Sequence, residues 1–574
     1  MKNILITIRS IFKKGRHNVM KIVSLGIGLA VGLVLIAKVY FEQSYDDFYP
    51  DRDRVYQVWA KYQQNGGELK DYPQTSGGIA PTMQQQIPEI ETVTRYTSFG
   101  DWTFTMTDTK MKYSGRCIIA DSCFFDILPR PMLIGNAKEV LSTPMYVLIS
   151  SRIAKNIGGD VIGKNFTVDN SPGRTMTIGG VFEEVPENSH SRYDVIVSMA
   201  SAGRFMWEGS PTNMLGNDRY ISYVKLHKGV NPLALEEQVR TFVNSYFPPE
   251  EQQKVGLSID FSFHKLDNLH KELPQVKRMT WILSLLAFAL IFTAVMNYIL
   301  IVISSIVNRS KEVAVHKCYG ASENNIHGMM FGEALVHIVL SLILALLLIL
   351  AFRGTVEELL ATSLDSLLLS NGSLVLLGIC ILVFFVSGFM PGSLYARIPV
   401  ASAFRNYREN KRIWKKALLL VQFVATGFLV TMLVFVARQY TFMVNDRPGY
   451  AYENLAYCGL AGVDSTSRAK ILDEVSRRRK EIAVRRVNGA TLWDILRLFI
   501  KDIGYICIYA VILGGGIAYF VLQKWQEQFT EKVPLSWYIF LGCGVCVLLI
   551  IYSVVCLDAR KTANDNPVNC LKSE

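Results

Sequence analysis

Two stretches decide how this chain is read: "SKEVAVHKCYGAS", Ser310–Ser322, and "RKEIAVRRVNGAT", Arg479–Thr491. A shift of 169 residues carries Lys311 onto Lys480, Glu312 onto Glu481, Ala314 onto Ala483, Val315 onto Val484, Gly320 onto Gly489 and Ala321 onto Ala490. Each copy stands just ahead of a long apolar stretch. Each is followed by two such stretches and then by Pro-Val, at Pro399-Val400 and Pro567-Val568. The chain therefore contains two related halves in the same order, the pattern of a duplicated membrane transporter with parallel halves.

Working outward, the composition fits a membrane protein. Half of the 574 residues are apolar and only 19% are charged. About 20 predominantly apolar residues suffice for a helix to cross a bilayer. Seven windows qualify, at 20–41, 280–306, 330–352, 373–396, 417–440, 503–523 and 535–556. The first is too long for a signal peptide and lacks its cleavage site, so it is read as a retained anchor. The net charge of +11 does not indicate nucleic acid. Residues 1–21 hold Lys2, Arg9, Lys13, Lys14, Arg16 and Lys21 without an acid, and 397–416 is similarly basic. Lys and Arg at the ends of apolar spans mark the cytoplasmic side.

The expected fold is an α-helical membrane protein of about seven spans with an α+β extracytoplasmic domain. Residues 1–19 form a basic cytoplasmic N-terminus and 20–42 the first span. Residues 43–278 form the soluble domain, where strand-like runs ("FTMTD", "KMKYSG", "RTMTIGGVF") mix with a helical one ("ALEEQVRTFVNSYF"). Residues 279–396 form the first permease unit, three spans with a short amphipathic helix at 309–322. A basic loop (397–416), a fifth span (417–443) and a short segment (444–476) follow. The second unit (477–560) carries its own helix at 478–491, and 561–574 is the tail.

Between spans, each repeated segment reads as a surface helix. Gly320 and Gly489 end it through the left-handed conformation open to glycine. Late Lys and Arg residues favour the carbonyl end. One copy alone would read as an interfacial anchor; two copies with the same charge order point to docking of a soluble partner.

The segment "NRSKEVAVHKCYGASENNIHGMMFGEALV" closely resembles the one after the second span in ABC transporter permeases of the MacB/FtsX type. There, R-x-x-E-[IV]-x-[IV]-x-[KR]-x-x-G-A forms the coupling helix that seats on the nucleotide-binding subunit. Glu312, Lys317, Gly320 and Ala321 match in the first copy, and Glu481, Arg486, Gly489 and Ala490 in the second. "ADSCFFDILPRPMLIGN", "SSRIAKNIGGDVIGKNF" and "TIGGVFEEVPENSHSRYDVIVSM" resemble blocks of the MacB-like periplasmic core domain, and "NPVNCLKSE" resembles the family's end. The tandem halves resemble members common in the Bacteroidetes.

The resemblance implies a multi-pass bacterial inner-membrane permease and no enzyme. A separately encoded ATPase dimer would bind ATP, so this chain needs no cofactor of its own. ATP-driven closure would move the extracytoplasmic domain (mechanotransmission) for export or extraction. The partners implied are that ATPase, the lipid bilayer, and a periplasmic adaptor or cell-wall enzyme. The alternative is a non-transporting scaffold whose outer domain regulates a cell-wall hydrolase or sensor.

Other motifs carry less. Gly158-x-x-x-x-Gly163-Lys164 lacks the Ser or Thr of a phosphate loop, since Asn165 follows, and reads as a turn before a strand. His264 and His270, flanking Asp267, read as surface or packing residues rather than metal ligands. Ser189-His190-Ser191 comes without a nucleophile elbow. Cys117 and Cys123 leave a disulfide open if their domain is extracytoplasmic. Glu333, early in the third span, reads either as an interfacial residue or as a latch to the coupling helix. Gly514-Gly515-Gly516 reads as close helix contact or bending.

The second half departs from the pattern. Seven spans put the chain ends on opposite sides, and a fifth span that exits places 477–486, with six Lys or Arg residues, outside, against the charge rule. Either the fifth span does not cross, or the second half inverts, or a domain and a span have been lost by internal deletion. Deletion is the favoured reading.

Overall fold

The computed structural model describes residues 18–168, 171–216, 218–368, 372–396, 413–445 and 513–524, with Gln526, Phe540 and Gly542. Two compact units divide the described chain. One is Glu42–Leu273; the other comprises the helices on either side of it.

The helical unit starts with α1 (Asn18–Gln43). Five helices among the described residues are long and apolar enough to cross a membrane: α1, Pro274–Ser304, Glu323–Ala351, Ser373–Ser393 and Leu419–Arg438. They cover the first five expected windows. The sixth and seventh fall largely outside the described residues, although 513–524 is helical.

Boundaries differ from expectation where local chemistry extends a helix. The second span begins at Pro274 rather than 280, because proline is pre-set for the first helical position and loses no hydrogen bond there. The third begins at Glu323, capped by the Ser322 side chain, which accepts from the Asn325 N–H.

The domain unit is built on β1 (Val55–Gln64), β2 (Lys70–Tyr72), β3 (Ile90–Met106), β4 (Lys112–Ala120), β5 (Met132–Ile134), β6 (Tyr146–Ser150), β7 (Asn165–Val168), β8 (Ser171–Phe182), β9 (Val195–Ser198), β10 (Ile221–Leu226) and β11 (Leu257–Lys265). The strand order is β11-β1-β10-β3-β4-β9-β6-β8-β5, with β2 on β1 and β7 between β3 and β8. The bonds therefore run in a closed circuit, β3-β4-β9-β6-β8-β7 and back to β3, which makes a six-stranded barrel.

The period-2 alternation of strands explains how one sequence serves two cores. Cys117 and Ile119, Val147 and Ile149, and Val195 and Val197 fill one buried cluster with Phe104 and Phe166. Their neighbours Ile118, Leu148 and Ile196 fill another with Phe124 and Phe182. A third core lies between β1, β10 and β11 and the helices α2 (Ile79–Gln86) and α3 (Glu236–Tyr246), with Val58, Met83, Val224, Phe242 and Phe261.

The disulfide held open between Cys117 and Cys123 does not form; both are free thiols. Alternation turns Cys117 into the barrel core, where burial pushes its thiol pKa up. Cys123 lies past the end of β4, and its thiol donates to the Val93 carbonyl at 3.1 Å.

The longer helices of the helical unit after α1 are α4 (Pro274–Ser304), α5 (Ile306–Cys318), α6 (Glu323–Ala351), α7 (Arg353–Leu360), α8 (Ser373–Ala396) and α9 (Ile413–Asn445). Small residues let the spans approach closely. A Cβ on Gly28 would stand 2.3 Å from the Ala294 Cβ, and one on Gly32 would stand 2.4 Å from Ile291 Cγ1. Gly28→Leu is therefore expected to push α1 off α4, costing about 2 kcal/mol or more. A lower thermal aggregation midpoint of the detergent-solubilised chain would show it. Gly514 is likewise a contact residue: a Cβ there would meet the Val424 carbonyl of α9 at 2.6 Å.

Candidate functional site

Helix α5 lies between the second and third spans and has two different faces. Ser310, Val313 and Ala314, at helical spacing i, i+3 and i+4, are buried. Val313 and Ala314 join the core formed by α1, α4, α6 and α8. On the other side Val315 is 42% exposed, His316 and Cys318 are exposed, and Tyr319 is 89% exposed. Glu312 and Lys317 are half-buried between the two faces.

The end of α5 is fixed by local bonds. Gly320 has φ +85. Its N–H donates to the Lys317 carbonyl at 3.0 Å, and the Ala321 N–H donates to the His316 carbonyl at 3.0 Å. This is the paired closure that a left-handed residue after a helix allows. Ala321, partly buried, packs on the core, and Ser322 then caps α6. Gly-Ala-Ser thus works as stop, apolar plug and restart. The result is a rigid elbow with Tyr319 at its tip. An isolated aromatic just ahead of the stop glycine was the available signal for Tyr319, and sequence reasoning did not single it out.

Glu333 lies on α6, two to three turns past the elbow. It pairs with Lys21 of α1 at 3.4 Å, both side chains being buried. Further along the same face, His337 Nδ1 bonds the Tyr298 hydroxyl at 3.2 Å, and Ser341 Oγ donates to the Ile22 carbonyl at 3.1 Å. The structure thus gathers Glu312, Lys317, Gly320 and Ala321 on one element and sets Glu333 deeper, against the first span. The second set, Glu481, Arg486, Gly489 and Ala490, lies outside the described residues.

Comparison with known families decides what this elbow belongs to. A family model, FtsX-like permease C-terminal, matches residues 284–400 and 472–567. This chain is an FtsX-like permease. The first matched segment contains α5, the elbow, α6 and all of α8, so α5 is part of the FtsX-like unit and no separate insertion. No curated protein matches the chain. Among solved structures it is similar to a domain of a Porphyromonas gingivalis protein assigned as a permease, at 33% identity over 38% of this chain and 91% of that one, with a TM-score of 0.35. It is also similar to the periplasmic region of MacB from Actinobacillus actinomycetemcomitans, at 13% identity over the same shares, with a TM-score of 0.27.

The domain unit of the FtsX-like permease places the remaining motifs. Gly158 (φ +74) and Gly163 (φ +78) form the turn ahead of β7. His264 stacks on Trp59, with ring centroids 4.2 Å apart, and burial lowers its pKa. His270 stacks on Tyr45 at 3.4 Å and bonds Glu42 at 2.6 Å. Asp267 pairs with Lys271 at 2.9 Å. No group of three or more metal-ligand side chains occurs among the described residues. Ser189, His190 and Ser191 join a buried network with Asp46, whose carboxylate bonds His190 Nδ1 at 2.7 Å.

A cleft of about 610 Å³ in the helical unit is lined by Leu35 of α1, by Met279, Ile282 and Leu286 of α4, and by Met432 and Leu433 of α9. Apart from Gln275 its walls are apolar and suit hydrocarbon.

Proposed function

We propose that this FtsX-like permease is the membrane subunit of an ABC-type machine of the bacterial inner membrane. A separately encoded ATPase dimer grips α5 and its elbow from the cytoplasm. ATP is bound by that partner. Closure of the dimer pulls on α4 and α6, which α5 joins, and the pull reaches the domain unit on the far side, driving export or extraction of a substrate. A periplasmic adaptor or cell-wall enzyme is the outer partner this reading calls for.

One observation carries the proposal. α5 is locked into the helical core by Val313 and Ala314 while it presents Val315, Cys318 and Tyr319 to solvent. A bare interfacial anchor needs apolar residues on a single membrane-facing stripe. A handle needs one face fixed and the other free, which is the arrangement here.

Cys318 is a built-in reporter for the test. In inside-out membrane vesicles an impermeant maleimide should label it, with Cys318→Ala as the control. Adding the ATPase subunit should slow that labelling by about tenfold, as expected for a side chain covered by a specific interface. Labelling only from the opposite face, or no protection, would refute the proposal.

A further inference from the structure

Helix α1 is held at two points. Near its start, the Lys21 ammonium meets Glu333 of α6 at 3.4 Å and Asn18 Oδ1 at 3.1 Å. Seventeen residues on, Lys38 Nζ donates to Thr362 Oγ1 at 2.8 Å. Both lysines and Thr362 are buried. At 1.5 Å per residue the two points are about 25 Å apart along α1, close to the width of a bilayer core. Between them Ser341 Oγ reaches the Ile22 carbonyl. Gly26 lies so near α6 that a Cβ would sit 3.2 Å from the Ser341 carbonyl oxygen.

These contacts resist sliding in a way that apolar ones do not. Moving α1 one turn along α6 displaces Lys21 by about 5.4 Å from Glu333. That breaks the buried ion pair, which is costly in a medium of low polarity. The seam between α1 and α4, by contrast, is built from Gly28 and Gly32 on Ala294 and Ile291, and such surfaces shift at lower cost. The connectivity gives the pinning a use. α6 starts at the elbow that carries Tyr319, and α1 ends at Gln43, three residues before Asp46.

We propose that Lys21 and Lys38 are positioning residues that lock α1 in axial register to α6 and to the turn that follows α7, so that a displacement of the elbow is delivered along α1 to Asp46. The lock is a property of the helices alone. Its use in transmission rests on the docking function proposed above.

The test has two arms in membranes holding the full chain. The first needs no ATPase. With Ile22→Cys, the in-register partner Ser341→Cys should oxidise to a disulfide about tenfold faster than the partner one turn further on, Ala345→Cys, because the slipped state breaks the Lys21–Glu333 pair. Lys21→Gln should remove that preference. The exchange Lys21→Glu with Glu333→Lys should restore it, which also shows that the loss is not misfolding. An absent preference in the native background, or one that survives Lys21→Gln, overturns the lock.

The second arm adds the ATPase subunit. ATP should change the maleimide reactivity of Gln43→Cys in the native background and in the charge exchange, but not in Lys21→Gln or Lys38→Met, while Cys318 stays protected in all four. A response retained in both lysine variants overturns delivery along α1. Failure to protect Cys318 in the native chain strikes at the docking function and at delivery together, and leaves the first arm to decide the lock.

Discussion

Tyr319→Ala should strip the ATPase subunit from membranes containing this permease, lowering its capture by about 30-fold, the effect of ~2 kcal/mol at a central aromatic anchor. A phenol ring 89% exposed at the tip of a rigid elbow has little to do within the chain itself. Its removal should leave expression and thermal stability unchanged. Gly320→Ala separates shape from contact. No heavy atom stands within 4 Å of where a Cβ would lie, so the substitution causes no clash. Its cost comes from the left-handed backbone at φ +85, about 1 kcal/mol for an L-residue. Capture should fall by about fivefold, and Gly320→Asn should recover most of it, since asparagine tolerates that region. Leu359→Ala, exposed on α7, should change nothing. Co-purification of the ATPase with each variant is the measurement. Full capture by Tyr319→Ala would exclude the elbow as the principal contact.

What the sequence reveals follows the range of the interaction. Gly320, Ala321 and Ser322 are legible because a helix stop, an apolar plug and an N-cap are decided within a few residues. The first five spans are legible because length and apolarity suffice. The strands at "RTMTIGGVF" and "KMKYSG" announce themselves by β-branched and aromatic alternation. Their closure into a barrel does not, because it depends on β7 bridging β3 and β8. The pairs that hold α1 to α6 and to Thr362 are hidden for the same reason. Lys21 and Glu333 are 312 residues apart, and Lys38 and Thr362 are 324 apart. In sequence Lys21 reads simply as one more cytoplasmic-side cation. A stronger signal was available: a lysine at each end of one apolar helix needs a partner at each end, because each charge is costly in hydrocarbon. Cys117 and Cys123 mislead in the opposite direction. Their proximity in sequence invites a bridge that strand alternation forbids.

The buried network around Asp46 is the second place where a single change should be severe. Asp46 is fully buried and left-handed, at φ +61. Its carboxylate accepts from the Ser189 hydroxyl at 3.1 Å and from the His190 N–H at 3.3 Å, and it bonds His190 Nδ1 at 2.7 Å. His190 Nε2 lies 2.5 Å from the Tyr223 hydroxyl, and Ser191 links on to Tyr96. Burial raises the pKa of Tyr223 and of Tyr96, so both phenols keep their protons. Tyr223 can then donate to Nε2, which leaves the Nδ1 proton to Asp46. Each of the named groups in this network thus has a partner. The Ser-His-Ser run has no free nucleophile because its hydroxyls are spent on this network.

Asp46→Ala removes the acceptor for three donors and places a Cβ-bearing residue without a local side-chain bond in a left-handed turn. The expected loss is about 3–5 kcal/mol, because three donors lose their buried acceptor together. Asp46→Asn keeps one acceptor oxygen and should lose about 1–2 kcal/mol. Urea dependence of protease resistance in the domain unit, measured on the full membrane-embedded chain, gives both values. A loss below about 1 kcal/mol for Asp46→Ala would mean that the network is dispensable. The position makes the effect more than local. Asp46 follows α1 by three residues and its N–H donates to the Asn188 carbonyl at 2.9 Å, so this residue is where the chain leaving the first span is fastened to the loop between β8 and β9. The function proposed above calls for stiffness where the helix ends, and a buried carboxylate held by three hydrogen-bonding groups supplies it there.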